Sequence, residues 1–382
     1  MLSGDGFSPS AVTSVNGQDI NTFMEEQVNQ ICHDPDACYN SVLFRLNHIS
    51  GEDGGLGSFS VNRNYAGAST VLGFENGTTS EIPNQAVVTG NFTDIDGPEA
   101  FYERFCGDDL PTEMAEVQPV EKTPRLVPID PYPEAVVIDE AESVAGYFID
   151  EDGFEDVAVL FLPTFLNNVS VHQGIVKDFF KSCRESGKTK LVLDLQGNLG
   201  GVRYEAYDVF NQIFPDLEPT MKERMRAHES LDVIGQNVAT ILADAEVVSP
   251  ENTSATTQVA YAVSFNIFNK NSMDRDDFES WDEYYGPNEI YGDSFTSYYE
   301  WKFDDPLYLL IEGVVLPTGY DNTTTEDQSR VFEDVILLTD GLCGSTCSIL
   351  VNLLRERANV RSVTLGGRAE YGPMQTVGAT RG

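Results

Sequence analysis

Short apolar runs alternate with amphipathic stretches from about residue 144 onward, and this pattern predicts strands alternating with helices. The apolar runs at 156–165, 190–195 and 335–338 have the length of strands buried on both faces. Between the first two runs, residues 172–183 carry an apolar stripe at helical spacing. Strand, helix and strand in succession are typical of a βαβ series, which implies a largely parallel sheet with right-handed crossovers.

The N-terminal part of the chain follows a different pattern, with mixed strands and one helix. Residues 11–17 are typical of a strand and turn, residues 20–31 of a helix, and residues 69–74 of a strand that runs into an Asn-Gly turn. These elements predict a small β-rich domain over residues 1–120.

A proline-rich stretch follows this domain, and an insertion interrupts the βα series. Residues 121–143 combine prolines with charges, which is a linker composition. We therefore predict a second domain over residues 144–382. Within it, residues 225–330 hold an acidic, aromatic tract that we interpret as an insertion or lid. A solvated loop with half-buried aromatic side chains is the expected form, and a wall that contacts substrate is the alternative.

Candidate chemistry lies in the turn after the predicted strand 335–338. Ser345 follows a run of small residues and precedes a helix with an apolar stripe at 349–354. Unpaired backbone N–H groups and the helix dipole favour negative charge at such a position. A serine nucleophile needs that environment, because its tetrahedral intermediate carries an oxyanion. The alternative is that Ser345 is an ordinary helix N-cap in a tight glycine turn.

A second glycine-rich turn follows the predicted strand 190–195. Gly200 and Gly201 stand between that strand and a helix that Pro215 ends, so their backbone could donate to an anion. A simple turn between strand and helix is the other interpretation. A nucleotide site is disfavoured, because the lysine of a phosphate-binding loop is absent.

Four motifs in this order resemble those of the S41 peptidases, the tail-specific or C-terminal processing proteases. They are VAVLFLPTF at 157–165, LDLQGNLGG at 193–201, TDGLCGSTC at 339–347, and LGGR at 365–368 with GPMQ at 372–375. The likeness is strongest to the fungal branch related to the chlamydial protease CPAF. This resemblance implies an α/β protein, with a PDZ-like domain over residues 1–120 and a ClpP/crotonase-like catalytic core over 144–382.

The resemblance also implies roles for particular residues. Ser345 would be the nucleophile, and the N–H of Thr346 with a backbone N–H at Gly200 or Gly201 would form the oxyanion hole. Gln375 would orient groups or water near the site. No cofactor and no metal are expected.

The base that would activate the serine is missing from the matching motif. Bacterial members use a lysine, but residues 370–375 contain none. The CPAF-like branch uses a histidine upstream of the PDZ-like domain and a downstream acid, so we expect both outside this chain, which looks truncated at both ends. The histidines present, His33, His48, His172 and His228, are not expected to serve, and His172 and His228 are predicted on exposed surface.

Charge and cysteine usage limit the classes of partner and compartment. The net charge of −39 argues against nucleic acid or an anionic membrane as a partner. Six cysteines show no clustered metal-ligand spacing. Cys32 could pair with Cys38, and Cys343 and Cys347 could pair or simply pack. With sequons at Asn76, Asn91, Asn168, Asn252 and Asn322, these cysteines favour an extracellular or secretory-pathway glycoprotein.

The sequence therefore predicts a serine-type endopeptidase that works through a Ser345 acyl-enzyme on a peptide or unfolded protein. Some fungal relatives are encoded near genes for ribosomally made, modified peptides, which makes a precursor peptide one expected substrate. The alternative is a non-catalytic relative that binds peptides through its PDZ-like domain. Acyl-CoA chemistry on a crotonase-like fold needs no serine, so the Ser345 motif argues against it.

Overall fold

The chain folds into two compact units. The computed structural model describes residues 10–27, 33–45, 57–59, 65–85, 92–106, 132–243, 245, 253–274, 276–303, 305, 315–320 and 329–379. The first unit comprises residues 1–28 and 42–131, and the second comprises residues 29–41 and 132–382. Residues 29–41 thus belong to the second unit, although the sequence pattern had grouped them with the N-terminal domain. The Cys32–Cys38 hypothesis falls partly outside the described residues.

The first unit contains a four-stranded antiparallel sheet. Its elements are β1 (Val12–Val15), β2 (Gln18–Asp19), α1 (Ile20–Gln27), β3 (Ser69–Phe74), β4 (Thr79–Pro83) and α3 (Pro98–Phe105), with the boundary-crossing helix α2 (Pro35–Val42) between α1 and β3. The strand order is β2-β1-β3-β4. Asn16 and Gly17 both have positive φ, as the tight turn between β1 and β2 requires. The predicted strand at 69–74 is confirmed.

The second unit is built on a six-stranded mixed sheet of order β14-β13-β8-β7-β6-β5. Its strands are β5 (Val137–Ile138), β6 (Ala145–Phe148), β7 (Val157–Phe161), β8 (Lys190–Asp194), β13 (Asp334–Thr339) and β14 (Arg361–Thr364). The four strands from β14 to β7 run parallel, and β6 and β5 add antiparallel. The predicted parallel series is therefore confirmed. The end of the predicted linker contributes edge strand β5, because its valine and isoleucine pair with β6 despite the nearby prolines.

Three helices cover this sheet and carry the residues next to the candidate site. They are α4 (Val169–Glu185), α5 (Arg203–Ile213) and α9 (Thr346–Ala358). Their apolar faces are fully buried at positions such as Phe179, Phe210 and Leu350. Asn168 begins α4, since its side chain accepts a hydrogen bond from the Val171 N–H at 3.2 Å. Each helix follows the carboxyl end of a parallel strand, which brings the connecting turns to one edge of the sheet.

The segment predicted as an insertion is folded around buried aromatic rings. Its described elements are α6 (Glu229–Ala243), α7 (Ala255–Ala262), β9 (Lys270–Asn271), α8 (Trp281–Tyr285), β10 (Asn288–Ile290), β11 (Asp293–Phe295) and β12 (Glu300–Trp301). Tyr284, Tyr299 and Trp301 are buried, so the expected solvated loop with half-buried aromatics is wrong. The acidic residues between them are largely exposed. Their number gives the segment a polar composition, from which the buried apolar positions could not be predicted.

Candidate active site

Ser345 occupies a strained position at the start of α9. Its backbone has a positive φ of 45° with ψ −121°, a conformation that costs a residue other than glycine about 1–3 kcal/mol. Its side chain is exposed and makes no capping hydrogen bond to the helix. Instead, its carbonyl accepts hydrogen bonds from the N–H of Ser348 and of Ile349 at 2.8 and 3.2 Å. The simple N-cap interpretation is therefore wrong, because the hydroxyl does not satisfy the helix end.

The turn at Gly200 and Gly201 lies directly against Ser345. A Cβ on Gly200 would stand 2.7 Å from the Ser345 Cβ and 2.8 Å from the Thr346 nitrogen, so only glycine fits there. The Thr346 hydroxyl donates to the Gly201 carbonyl at 2.7 Å. These contacts bring together Ser345, Thr346, Gly200 and Gly201, which are far apart in sequence.

The two glycines offer different backbone groups. The Gly200 N–H already donates to Asn198 Oδ1 at 2.8 Å. By contrast, the N–H groups of Gly201 and Thr346 donate to none of the residues that the structure describes. Gly201, rather than Gly200, is therefore the glycine with a backbone donor left to offer beside Ser345.

Asn198 joins the two turns and was not singled out by the sequence pattern. The residue is fully buried, and its Nδ2 donates to the Leu162 carbonyl at 2.8 Å. Its own carbonyl accepts from the Gly344 N–H at 3.1 Å. Together with the bond from the Gly200 N–H, these contacts of Asn198 link the turn at Gly200 to the end of β7 and to the turn that contains Ser345. An asparagine inside a Gly-rich motif is a usable signal for such a role, because its amide can satisfy backbone groups of both kinds.

Two carboxylates at the strand ends shape the same turns. Asp340 Oδ1 accepts from the Gly197 N–H at 2.9 Å and from the Leu342 N–H at 3.1 Å, as expected for a turn-forming residue. Asp194 accepts from the Gln196 N–H at 3.0 Å, and burial raises the pKa of Asp194 to about 6. Both side chains thus accept hydrogen bonds from backbone N–H groups and stabilise the turns that follow β8 and β13.

Residues 33–41 fasten the loops that follow β13 and β14. The side chain of Asn40 donates to the Asp340 carbonyl at 2.8 Å and accepts from the Gly367 N–H at 2.8 Å. Asp36 pairs with the guanidinium of Arg368 at 3.0 Å, which lowers the pKa of Asp36. A segment close to the N-terminus is therefore part of the scaffold of the candidate site, and no local sequence signal indicates this.

Cys343 and Cys347 form a disulfide that spans the serine turn. Their Cα atoms are 5.4 Å apart, and both residues are fully buried. The bond links the last residues of the turn to the first turn of α9, with Ser345 between them. Of the two alternatives for these cysteines, pairing is confirmed.

The remaining sequence candidates lie elsewhere or differ from expectation. Gln375 has an exposed side chain, and its carbonyl is the part that approaches Gly341. His33 and His228 are exposed, whereas His172 is 1% exposed, so the prediction of a surface position for His172 is wrong. His172 lies on the same buried face of α4 as Val176, Phe179 and Cys183, at helical spacing, so the apolar stripe was itself a signal for its burial against α5. His48 lies outside the described residues.

No cluster of His, Cys, Asp or Glu able to hold a metal ion occurs among the described residues. Within the same residues, every helix is too short or too polar to cross a membrane.

Family models match both parts of the chain. Residues 2–93 match the CPAF-like PDZ domain, and residues 156–375 match peptidase family S41. Since the second match covers more than half of the chain, the chain belongs to peptidase family S41. The predicted fold class is confirmed: a mixed α/β protein with a β-rich, PDZ-like N-terminal region and an S41 peptidase domain.

Curated relatives come from fungi and carry the same family description. The chain is 28% identical over 338 residues to the peptidase S41 family protein ustP of Aspergillus flavus, across 82% of this chain and 66% of the relative. It is 30% identical over 415 residues to the peptidase S41 family protein phomP1 of Diaporthe leptostromiformis, across 100% of this chain and 58% of the relative. The chain thus spans less than two thirds of the length of these relatives.

Solved structures that align with this chain include mature CPAF and the photosystem II D1 C-terminal processing protease. The superposition on mature CPAF has a TM-score of 0.43 at 12% identity, and covers 99% of this chain and 72% of that chain. The superposition on the processing protease has a TM-score of 0.27 at 10% identity, and covers 90% of this chain and 48% of that chain.

Proposed function

We propose that this chain is the core of a serine endopeptidase that cleaves peptide bonds through an acyl-enzyme on Ser345. The observation that supports it best is the conformation of Ser345 at the start of a helix. Its backbone has positive φ, and its exposed hydroxyl makes no capping hydrogen bond to the helix. Strained turns between a strand and a helix are a recurring way to expose a nucleophilic serine. Family membership supplies the reaction class.

In this mechanism, Ser345 Oγ attacks the scissile carbonyl carbon while its proton passes to a base. The new C–O bond forms as the carbonyl electrons move onto oxygen, and the N–H groups of Thr346 and Gly201 would stabilise that oxyanion. Collapse breaks the C–N bond, and the leaving amine takes the proton. Water then attacks the acyl-enzyme with the same base, which releases the acid and restores Ser345.

We propose that the base and its acid partner lie outside residues 1–382. In support, Ser345 Oγ hydrogen-bonds to no residue in the described part of the chain. The same observation favours a second candidate, a non-catalytic protein that binds extended peptides through the PDZ-like region. Such domains hold a peptide by adding it to a sheet edge, and β4 is an edge strand whose residues are all exposed. A precursor peptide stays a predicted substrate.

The test is covalent labelling with a fluorophosphonate probe, followed by peptide mapping. We expect the whole gene product to carry one phosphonyl group, on the tryptic peptide that contains Ser345. Heat-denatured protein is the control, because denaturation removes the arrangement that makes this serine reactive. Failure of the native protein to label, with intact folding by circular dichroism, would favour the peptide-binding alternative.

We also propose that the protein is extracellular or passes through the secretory pathway. Disulfides persist in oxidising compartments, and the Cys343–Cys347 bond is buried in the core. The sequon residues Asn76 and Asn168 are exposed and so are accessible to glycosylation. Expression of the whole gene product in a fungal host should yield protein in the medium whose apparent mass falls on endoglycosidase treatment. Intracellular protein of unchanged mass would contradict this proposal.

A further inference from the structure

A buried polar pair lies between α4 and α5. His172 and Glu205 are each 1% exposed, with 4.0 Å between His172 Nδ1 and Glu205 Oε2. Asn167 donates to Glu205 Oε2 at 3.3 Å. Neither ring nitrogen of His172 nor Glu205 Oε1 has a hydrogen-bond partner among the described residues. Buried polar groups of this kind usually have a specific role, because an unpaired one costs about 1–3 kcal/mol.

The surroundings keep both members of the pair uncharged near neutral pH. Burial raises the pKa of Glu205 to about 9, and the negative charges of Asp208 and Asp139 add to that shift. Burial lowers the pKa of His172 to about 4, against the opposing effect of the same two aspartates. Asp208 is itself held by the side chains of Gln173 and Gln212, each at 2.7 Å. An ionised Glu205 would thus be a buried charge that faces two others of the same sign.

His172 and Glu205 are linked to the turn at Gly200 and Gly201 by contacts through Phe165 and Val202. The rings of His172 and Phe165 meet edge to face, 6.0 Å apart. The Phe165 N–H donates to the Gly200 carbonyl at 3.0 Å, and its carbonyl accepts from the Val202 N–H at 2.7 Å. The Glu205 N–H in turn donates to the Val202 carbonyl at 3.2 Å. The backbone of Phe165 therefore bonds to the residues on either side of Gly201. His172 contacts the ring of Phe165, and Glu205 lies in the first turn of α5.

We infer that His172 and Glu205 are a positioning pair that keeps the Gly201 N–H aimed at the oxyanion, and that this turn loosens when Glu205 ionises. The inference rests on the proposed function, because it assigns the turn a part in that reaction. Ionisation would place an uncompensated charge at the start of α5, and the nearest relief is movement of the helix end together with Val202. The activity of the protein should then decline on the alkaline side for a reason unrelated to the serine itself.

The test compares wild type with Glu205→Gln between pH 7 and pH 9.5, in the whole gene product. Glutamine keeps the shape of the protonated acid and cannot ionise. Because the pKa of Glu205 is raised in the folded state, wild type loses stability as pH rises towards 9. We expect the melting temperature of wild type to fall by about 5 °C more than that of Glu205→Gln. We expect the rate of fluorophosphonate labelling to fall about threefold more. Glu185→Gln, an exposed glutamate at the end of α4, is the matched control and should follow wild type.

Melting and labelling separate this inference from the proposed function. If the melting temperature of wild type falls with pH as expected but the protein is never labelled, the proposed function is wrong, whereas the protonated state of the buried Glu205 is supported. If Glu205→Gln melts differently from wild type but labels in parallel with it at every pH, the link to the turn is wrong. If both profiles are parallel, Glu205 is not the ionising group and the whole inference is overturned. His172→Gln provides a second variant. It should label more slowly than wild type at pH 7, and its labelling rate should fall between pH 7 and pH 9.5 by the same factor as that of wild type.

Discussion

Replacing Ser345 with alanine is expected to abolish peptide hydrolysis by the whole gene product. Removal of a serine nucleophile typically lowers kcat by about 10⁴–10⁶-fold, because the acyl-enzyme route is lost and only binding and oxyanion stabilisation remain. The Ser345 hydroxyl makes no capping hydrogen bond, and alanine is strained at this positive φ to a similar degree as serine, so stability should change little. The measurement is cleavage of a denatured protein substrate, with melting temperature recorded alongside.

Two comparisons make this result specific. Ser186→Ala, at an exposed serine that ends α4, is the matched control and should cleave at the wild-type rate. Residues 1–382 alone should cleave about 10⁴-fold more slowly than the whole gene product, if the base lies outside them. Equal rates for the two proteins would mean that an internal base exists. Equal rates for wild type and Ser345→Ala would contradict the nucleophile assignment.

Much of the scaffold was predictable because its signals are local. Buried parallel strands appear as apolar runs, and the turns after β8 and β13 appear as clusters of glycine and other small residues. The juxtaposition of Gly200 with Ser345 also followed, since the carboxyl ends of parallel strands share one edge of a sheet. These features need no knowledge of distant contacts.

The parts that sequence analysis missed depend on tertiary contacts. His172 shares the buried face of α4 with Val176 and Phe179, but a histidine at the start of a helix is also common at the surface, and only the packing of α5 on that face covers it. The aromatic rings around Trp301 are buried because they pack against one another in the core. The exposed carboxylates between them in sequence give the segment a composition that is typical of a loop. Asn40 contacts Asp340 and Gly367 across 300 and 327 positions, and no periodicity in the sequence can predict contacts at that separation.

Replacing Gly200 with alanine is expected to slow labelling of Ser345 by about 10²-fold or more. The new Cβ would stand 2.7–2.8 Å from the Ser345 Cβ, the Gly344 carbonyl oxygen and the Thr346 nitrogen. Two of these three atoms belong to the backbone, so the turn itself must move. That movement would displace the Thr346 N–H from the oxyanion, and loss of one such donor costs about 10²–10³-fold. The rate of fluorophosphonate labelling under pseudo-first-order conditions is the measurement.

Backbone strain alone has to be separated from this close contact. Gly200 has φ of 101° and Gly153 has φ of 89°, so alanine is strained at both positions, yet a Cβ on Gly153 would meet nothing within 4 Å. Gly153→Ala should therefore lose stability through backbone strain alone, about 1 kcal/mol, and keep its labelling rate. If Gly200→Ala labels within threefold of Gly153→Ala, the contact between the two turns does not control the reactivity of Ser345. A large loss confined to Gly200→Ala would instead show that the nucleophile depends on a neighbour about 145 positions away, which the strand order of the sheet brings beside it.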